Sequence, residues 1–324
     1  MCTAISFKTK DHYFGRNLDY EHSFGEKVII TPRNYPLKFK YNEEIKNHFS
    51  FIGMGIIEEN YPLYFDLTNE AGLSFAGLNF PQNAKYNKFK EGKINLTPYE
   101  LPLYTLSKCS SVYEVIRILE NVNILNLPFS EKYALTPLHF MFSDKDKSVV
   151  FESTSDGNFI YDNKMGVLTN NPPFNMQVQN LNNYINLSNK EPENEFLENI
   201  ELDIYSRGMG GIGLPGDLSS MSRFVRGTFT KLNSVCDNDE ESSVTQFFHI
   251  LYSVYQQKGC VCISDNIYEK TNYTSCCNTD KGIYYYTTYD NNRITKIDMN
   301  KENLLSSSLI SYKLNNKQDF LIGN

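Results

Sequence analysis

The chain opens with Met1-Cys2-Thr3-Ala4-Ile5-Ser6-Phe7 and, after a short polar break, continues with Phe14-Gly15-Arg16-Asn17-Leu18-Asp19-Tyr20. Removal of the initiator methionine would make Cys2 the amino-terminal residue, with a thiol and a free α-amine on one amino acid. Such a residue is a nucleophile with its own base. An α-amine ordinarily titrates at about 7.7 to 8.0 and a thiol at about 8.5, so a modest local field decides which holds the proton. Arg16 and Asp19 suit that site, because a guanidinium favours a thiolate and a carboxylate can hold an amine. The residue types alone also fit a buried structural thiol beside a turn-proximal ion pair.

Both segments are apolar runs with strand character, and the pattern extends outward from them. Residues 2–7, 12–19, 27–31, 51–57, 63–68 and 73–78 read as strands separated by turn residues. Helical spacing predicts helices over 99–108 and 112–122, the second capped by Ser110 or Ser111. Strands return at 138–142, 148–152, 159–162 and 166–169, and a second helical block covers 175–187, 219–232 and 243–256. The polar stretch 188–203 reads as a surface excursion, and strands at 274–278, 282–289 and 293–298 close the pattern. Blocks of strands alternating with blocks of helices predict antiparallel sheets with helices packed outside, an α+β fold, rather than a doubly wound parallel sheet. No repeat or low-complexity segment divides residues 1–324, which are expected to form a single domain.

Composition narrows the function. Thirty-one Lys and Arg against 38 Asp and Glu give a net charge of −7, which disfavours a nucleic-acid partner. No apolar run has the roughly 18 to 20 residues of a membrane span, and the amino terminus lacks a basic region followed by an apolar core, so the expected location is the cytoplasm. Seven cysteines without a regular framework suit reduced thiols. The segment Gly208-Met209-Gly210-Gly211-Ile212-Gly213 satisfies the dinucleotide-binding glycine pattern, but Pro215 and Gly216 follow at once and no βαβ unit surrounds it. Cys260-Val261-Cys262 and Cys276-Cys277 depart from paired zinc-knuckle spacing and read as core cysteines, and His139 and His249 read as hydrogen-bonded core residues. No metal or organic cofactor is expected.

Three further motifs bear on the amino-terminal nucleophile. Gly77-Leu78-Asn79-Phe80-Pro81 and Leu168-Thr169-Asn170-Asn171-Pro172 each end a predicted strand with asparagine, and Gly213-Leu214-Pro215-Gly216-Asp217 leads to Ser222-Arg223-Phe224-Val225-Arg226 on a predicted helix. By themselves these are turns and an amphipathic helix with exposed arginines. Together with the amino-terminal wording they resemble, in collinear order over nearly the whole chain, the choloylglycine hydrolase family, the bile salt hydrolases and penicillin V acylases of the amino-terminal-nucleophile hydrolases. Small departures, Asn171 and Pro173 after Asn170 and a short hairpin between Lys8 and Tyr13, concern the shape of the pocket.

The resemblance implies a four-layer αββα sandwich of two antiparallel sheets between helical layers, with the nucleophile starting a central strand. It implies a catalytic set of Cys2, Arg16, Asp19, Asn79, Asn170 and Arg223, with Arg226 structural. The implied reaction is hydrolysis of glycine- or taurine-conjugated bile salts through a thioester on Cys2, by a homotetramer. Leu18, Tyr20, Phe24, Phe65, Asn79 and Tyr133 are expected to bind the substrate, the apolar ones lining a steroid pocket. Penicillin V acylase is the alternative activity, disfavoured because that branch tends to carry an aromatic residue at the position of Asn79. A chain that retained Met1 would instead be a catalytically silent protein of the same fold.

Overall fold

The computed structural model describes residues 1–197 and 199–324. In chain order the first elements are β1 (Cys2–Lys8), β2 (His12–Tyr20), β3 (Lys27–Thr31), β4 (Phe51–Glu58), β5 (Tyr61–Asn69) and β6 (Ser74–Asn79). Next come β7 (Ile94–Leu96), α1 (Glu100–Lys108), α2 (Val112–Leu119), β8 (Val122–Ile124), β9 (Leu138–Ser143), β10 (Ser148–Thr154), β11 (Gly157–Asp162) and β12 (Val167–Leu168). The remainder comprises α3 (Phe174–Asn180), α4 (Ser220–Asn233), α5 (Glu240–Tyr252), β13 (Val261–Ser264), β14 (Ile267–Asn278), β15 (Ile283–Thr288), β16 (Asn291–Asp298) and β17 (Ile310–Lys313).

Among the described residues, two large antiparallel sheets form. One runs β12-β1-β2-β14-β15-β16, with β13 on β14, and the other runs β11-β10-β9-β6-β5-β4-β3-β17. Strand alternation assigns their faces. On β10, Val150 joins Ala4, Phe14, Met54 and Leu78 in the core between the sheets, while Val149 and Phe151 turn outward to meet Leu101, Val112, Val115 and Leu119 of α1 and α2. On β1, Ser6 reaches Ser143 of β9 at 2.9 Å, whereas Phe7 packs on Phe247 of α5 with ring centroids 6.5 Å apart. Both sheets are thus covered on both faces, which explains why their strands read as almost continuous apolar runs despite being antiparallel. The result is the expected αββα order: α1 and α2, the eight-stranded sheet, the seven-stranded sheet, then α4 and α5.

The glycine of the Phe14-Gly15-Arg16 motif has a steric reason. A Cβ there would lie 2.0 Å from the Ser275 carbonyl oxygen on β14, so only glycine lets β2 and β14 pair at this register.

Several local expectations need correction. The helix expected over 112–122 stops at Leu119, because Val122 begins β8 and pairs in parallel with β7. Ser111 is its cap, accepting from the Glu114 amide. The helix expected over 175–187 is α3 followed by a single 3-10 stretch, Leu181–Tyr184. The strand expected from 274 begins at Ile267, because β14 extends along the whole of β2. His249 lies on the exposed side of α5, although His139 is fully buried between Glu152 and the Thr169 carbonyl. Cys260 and Cys262 are exposed rather than core residues, since β13 covers only the edge of β14. No helix among the described residues is long and apolar enough to cross a membrane.

Candidate active site

Cys2 begins β1 and is buried at 4% exposure. Its cross-strand partner is Leu18, and the neighbouring pair is Ala4 with Arg16, so Cys2, Leu18 and Arg16 share the face that looks toward the second sheet. Arg16 is 1% exposed. Its Nη1 donates to the carbonyls of Phe65 at 2.9 Å and Gly77 at 2.6 Å, bridging β5 and β6, while Nη2 has no hydrogen-bond partner among the described residues. Burial works against the charge, but Cys2, Tyr273, Asp66 and Asp19 together raise its proton affinity above that of an ordinary arginine. The guanidinium therefore stays cationic.

Arg223 comes from the first turns of α4, which starts at a Ser219 cap. It approaches from the opposite face. Its Nη1 donates to the Cys2 carbonyl at 2.6 Å and to Thr3 Oγ1 at 2.7 Å, and its Nη2 donates to Asn170 Oδ1 at 2.9 Å. Burial lowers its proton affinity, and Asp19, Cys2 and Glu269 oppose that effect. Arg226, one turn on, ties α4 to the Ser253 and Pro215 carbonyls.

Asn170 joins these groups. Its Oδ1 accepts from the Cys2 backbone nitrogen at 2.7 Å, and its Nδ2 donates to the Asn79 carbonyl at 2.7 Å. Its own amide donates to Ser220 Oγ at 2.8 Å, at the start of α4. Asn79 ends β6 half-buried, and its side-chain amide makes no hydrogen bond among the described residues.

Asp19 lies on the helix-facing side with Arg223, 4.0 Å from Nη1. Its Oδ1 accepts from Thr271 Oγ1 at 2.6 Å, while Oδ2 has no hydrogen-bond partner among the described residues. Burial raises its carboxyl above the usual range, against the pull of Arg223, the amino terminus, Thr271 and Arg16. Met1 extends β1 by one residue: its amine donates to the Asp19 carbonyl at 2.7 Å and to Glu269 Oε1 at 2.5 Å, and its carbonyl accepts from the Asp19 amide at 2.9 Å.

The expected substrate-binding residues divide. Tyr20 and Phe24 lie 4.9 Å apart, and Phe24 and Phe65 lie 5.6 Å apart, as an aromatic group at the rim of the sheet carrying Cys2. Leu18 is a core residue, 6% exposed. Tyr133 sits elsewhere, against Phe129 and bonded to Glu58.

Sequence reasoning missed Asp66, Thr271 and Glu269. Asp66, buried between the sheets, accepts from Tyr273 at 2.8 Å and Tyr284 at 2.6 Å and is a nearby countercharge to Arg16. Burial raises its carboxyl, with Arg16 opposing. A polar residue alternating into the predicted strand at 63–68 was the available signal. Thr271 and Glu269 offered none, since they lie ahead of the strand expected from 274.

Cys276 and Cys277 are buried in β14, and no group of three or more metal-ligating side chains forms among the described residues. A cysteine at position 2 that starts an interior strand, between two buried arginines and with its backbone nitrogen held by an asparagine, points to acyl transfer at sulfur. Residues 2–312 match the model of the linear amide C–N hydrolases, choloylglycine hydrolase family. The chain belongs to this family.

Within the choloylglycine hydrolases it is 53% identical, over the whole of both chains, to the bile salt hydrolase/transferase of Lactiplantibacillus plantarum. It is 44% identical, over 97% of each chain, to that of Clostridium perfringens. A solved structure of the Clostridium perfringens conjugated bile acid hydrolase superposes with a TM-score of 0.93 over the whole of both chains, at 41% identity. The penicillin V acylase of Agrobacterium tumefaciens superposes with a TM-score of 0.74 over 96% of this chain and 91% of that one. Its 18% identity makes that a likeness of fold alone.

Proposed function

We propose that the chain is a bile salt hydrolase that cleaves the amide bond of glycine- or taurine-conjugated bile acids, and that excision of Met1 activates it. The observation that carries this reading is the hydrogen bond from the Cys2 nitrogen to Asn170 Oδ1, itself held by Arg223, at the start of a central strand. Once that nitrogen is an amine, the same bond fixes one N–H on Asn170 and leaves the lone pair for the thiol proton. The thiolate attacks the amide carbonyl, and the proton passes from the α-amine to the leaving amine. Water then hydrolyses the thioester.

Asn79 and the second N–H of Asn170 are suited to stabilise the tetrahedral oxyanion. Arg16 supplies positive charge from the inter-sheet side and Arg223 from the helix side, while Asp19 steadies the amino terminus. Tyr20, Phe24 and Phe65 suit the apolar body of the substrate. No metal or organic cofactor takes part in this scheme. The same reading includes one domain over residues 1–324 and a cytoplasmic homotetramer, the location supported by seven free thiols.

The test is amine release from glycocholate, taurocholate and penicillin V by protein of known intact mass, beside a Cys2→Ala control. Release of glycine or taurine only by protein that lacks Met1, and its loss in the control, is the expected result. Preference for penicillin V would move the chain to the acylase branch, and inactivity of a processed chain on all three would overturn the reading.

A further inference from the structure

Met1 marks a place where this fold holds a primary ammonium. Its acceptors are the Asp19 carbonyl at 2.7 Å and the Glu269 carboxylate at 2.5 Å, the latter on a side chain only 6% exposed. Only Cα and the carbonyl carbon of Met1 separate that nitrogen from the nitrogen of Cys2, so the acceptors stand one residue beyond the α-nitrogen that becomes the amine of the nucleophilic residue. Excision of Met1 takes the ammonium away and leaves both acceptors facing the space it filled. A buried carboxylate that loses its counter-ion is strongly destabilising, and Asp19 adds like charge beside this one. Arg223 is engaged elsewhere, with the Cys2 and Leu218 carbonyls, Thr3 and Asn170. A small primary ammonium is what these acceptors are arranged to receive, and the amine half of a cleaved conjugate is such a group.

We propose that Glu269 and the Asp19 carbonyl form an ammonium subsite that, in the processed chain, takes the amine half of the substrate. This deepens the hydrolase reading and rests on it. On acylation the subsite receives the amine as it leaves. In the opposite direction it holds an incoming amine that accepts the acyl group from Cys2 in place of water. In that step the thioester carbonyl carbon gains a bond to nitrogen and loses its bond to sulfur. The ammonium sheds two protons: Glu269 takes the first, which frees the lone pair, and the second passes through the Cys2 α-amine to the departing thiolate. Glu269 then returns its proton to water. Burial, which raises the Glu269 carboxyl above the usual range despite the nearby amino terminus, suits it to that exchange.

The experiment compares taurine with isethionate, and glycine with glycolate, pairs that differ by an ammonium against a hydroxyl. Processed wild-type protein is expected to be stabilised in a thermal-shift titration by each amine at concentrations at least tenfold below its hydroxyl analogue. Glu269→Gln is expected to erase that difference. It is also expected to lower, by tenfold or more, the ratio of acyl transfer to hydrolysis when amine is added to the thioester-forming reaction. Equal stabilisation by amine and hydroxyl analogues, or an unchanged ratio in Glu269→Gln, would overturn the subsite. If the variant does not fold, the wild-type comparison decides. If processed wild type cleaves no conjugate, the hydrolase reading fails, while the thermal-shift titration still decides the subsite.

Discussion

Arg16 and Arg223, both fully buried, flank Cys2 from opposite faces of one sheet. Arg16 reaches across the inter-sheet core to the backbone of β5 and β6, and Arg223 reaches down from α4 to the backbone of β1. The two cations are thus separated by a strand, and each has its own carboxylate nearby, Asp66 for Arg16 and Asp19 for Arg223. That arrangement lets two buried charges of one sign share a nucleophile without direct contact.

Replacing Arg16 by Met should be costly for the fold as well as the chemistry. It leaves the Phe65 and Gly77 carbonyls without their donor and Asp66 without its nearby cation. The expected loss is about 3 to 5 kcal/mol, the range for breaking a buried pair by removing one partner. A denaturant midpoint indistinguishable from wild type would contradict it.

Asn170→Ala removes the acceptor of the Cys2 nitrogen and of Arg223 Nη2 at once. In the processed enzyme kcat should fall by about 10² to 10³, as for loss of a preorganised polar group at a reacting centre. The change in KM should be small, because the side chain acts at the nucleophile rather than on the steroid. Steady-state kinetics on a conjugated bile salt, with intact mass checked for Met1 removal, separates the two parameters.

Acid should destabilise the protein through His12. Its ring is buried with Ser6 and Ser143 on one side and Thr279 on the other, and burial lowers it from 6.5 to about 4, with Asp144 opposing. The unfolded chain therefore binds the extra proton between those values, so stability is full above pH 6.5 and falls as the pH drops toward 4. The linked loss is about 3 kcal/mol. Urea midpoints across that window should slope less in His12→Asn, even if the variant is weaker throughout; parallel slopes would count against the assignment.

Gly15→Ala tests the closest strand approach near the site. The added Cβ would meet backbone atoms of Ser275 and Cys276 that cannot move without breaking the β2–β14 ladder. A loss of about 3 kcal/mol or more is expected from such overpacking. Soluble expression and thermal unfolding measure it, and a variant as stable as wild type would mean that the two strands can separate locally.

Much of the fold was legible in the chain because strand and helix periods are local. The six strands before Asn79 lie close to their expected bounds, and the blockwise order of strands and helices already excluded a parallel doubly wound sheet. Helix ends were less legible. Val122 carries the apolar character of α2 into β8, and only the parallel pairing with Ile94 of β7, 28 positions earlier, tells the two apart.

Cys2, Arg16, Asp19, Asn79, Asn170 and Arg223 were named from motifs that resemble a family, and five of them lie within the first nineteen residues or end a recognisable strand. What the sequence determined by itself was the chemistry on offer: a thiol at position two, two arginines, two asparagines at strand ends and a net negative charge. Tertiary structure decided which face of the strand each group occupies. It put Arg223, 221 positions away, on the Cys2 carbonyl, and it brought Glu269 and Thr271 to the amino terminus. It also kept Tyr133 with Glu58 and Phe129, apart from Tyr20, Phe24 and Phe65. The physical reason is the period of two along a strand: neighbours in sequence point to opposite layers, so which residues meet depends on cross-strand register, and register is a property of the assembled sheet.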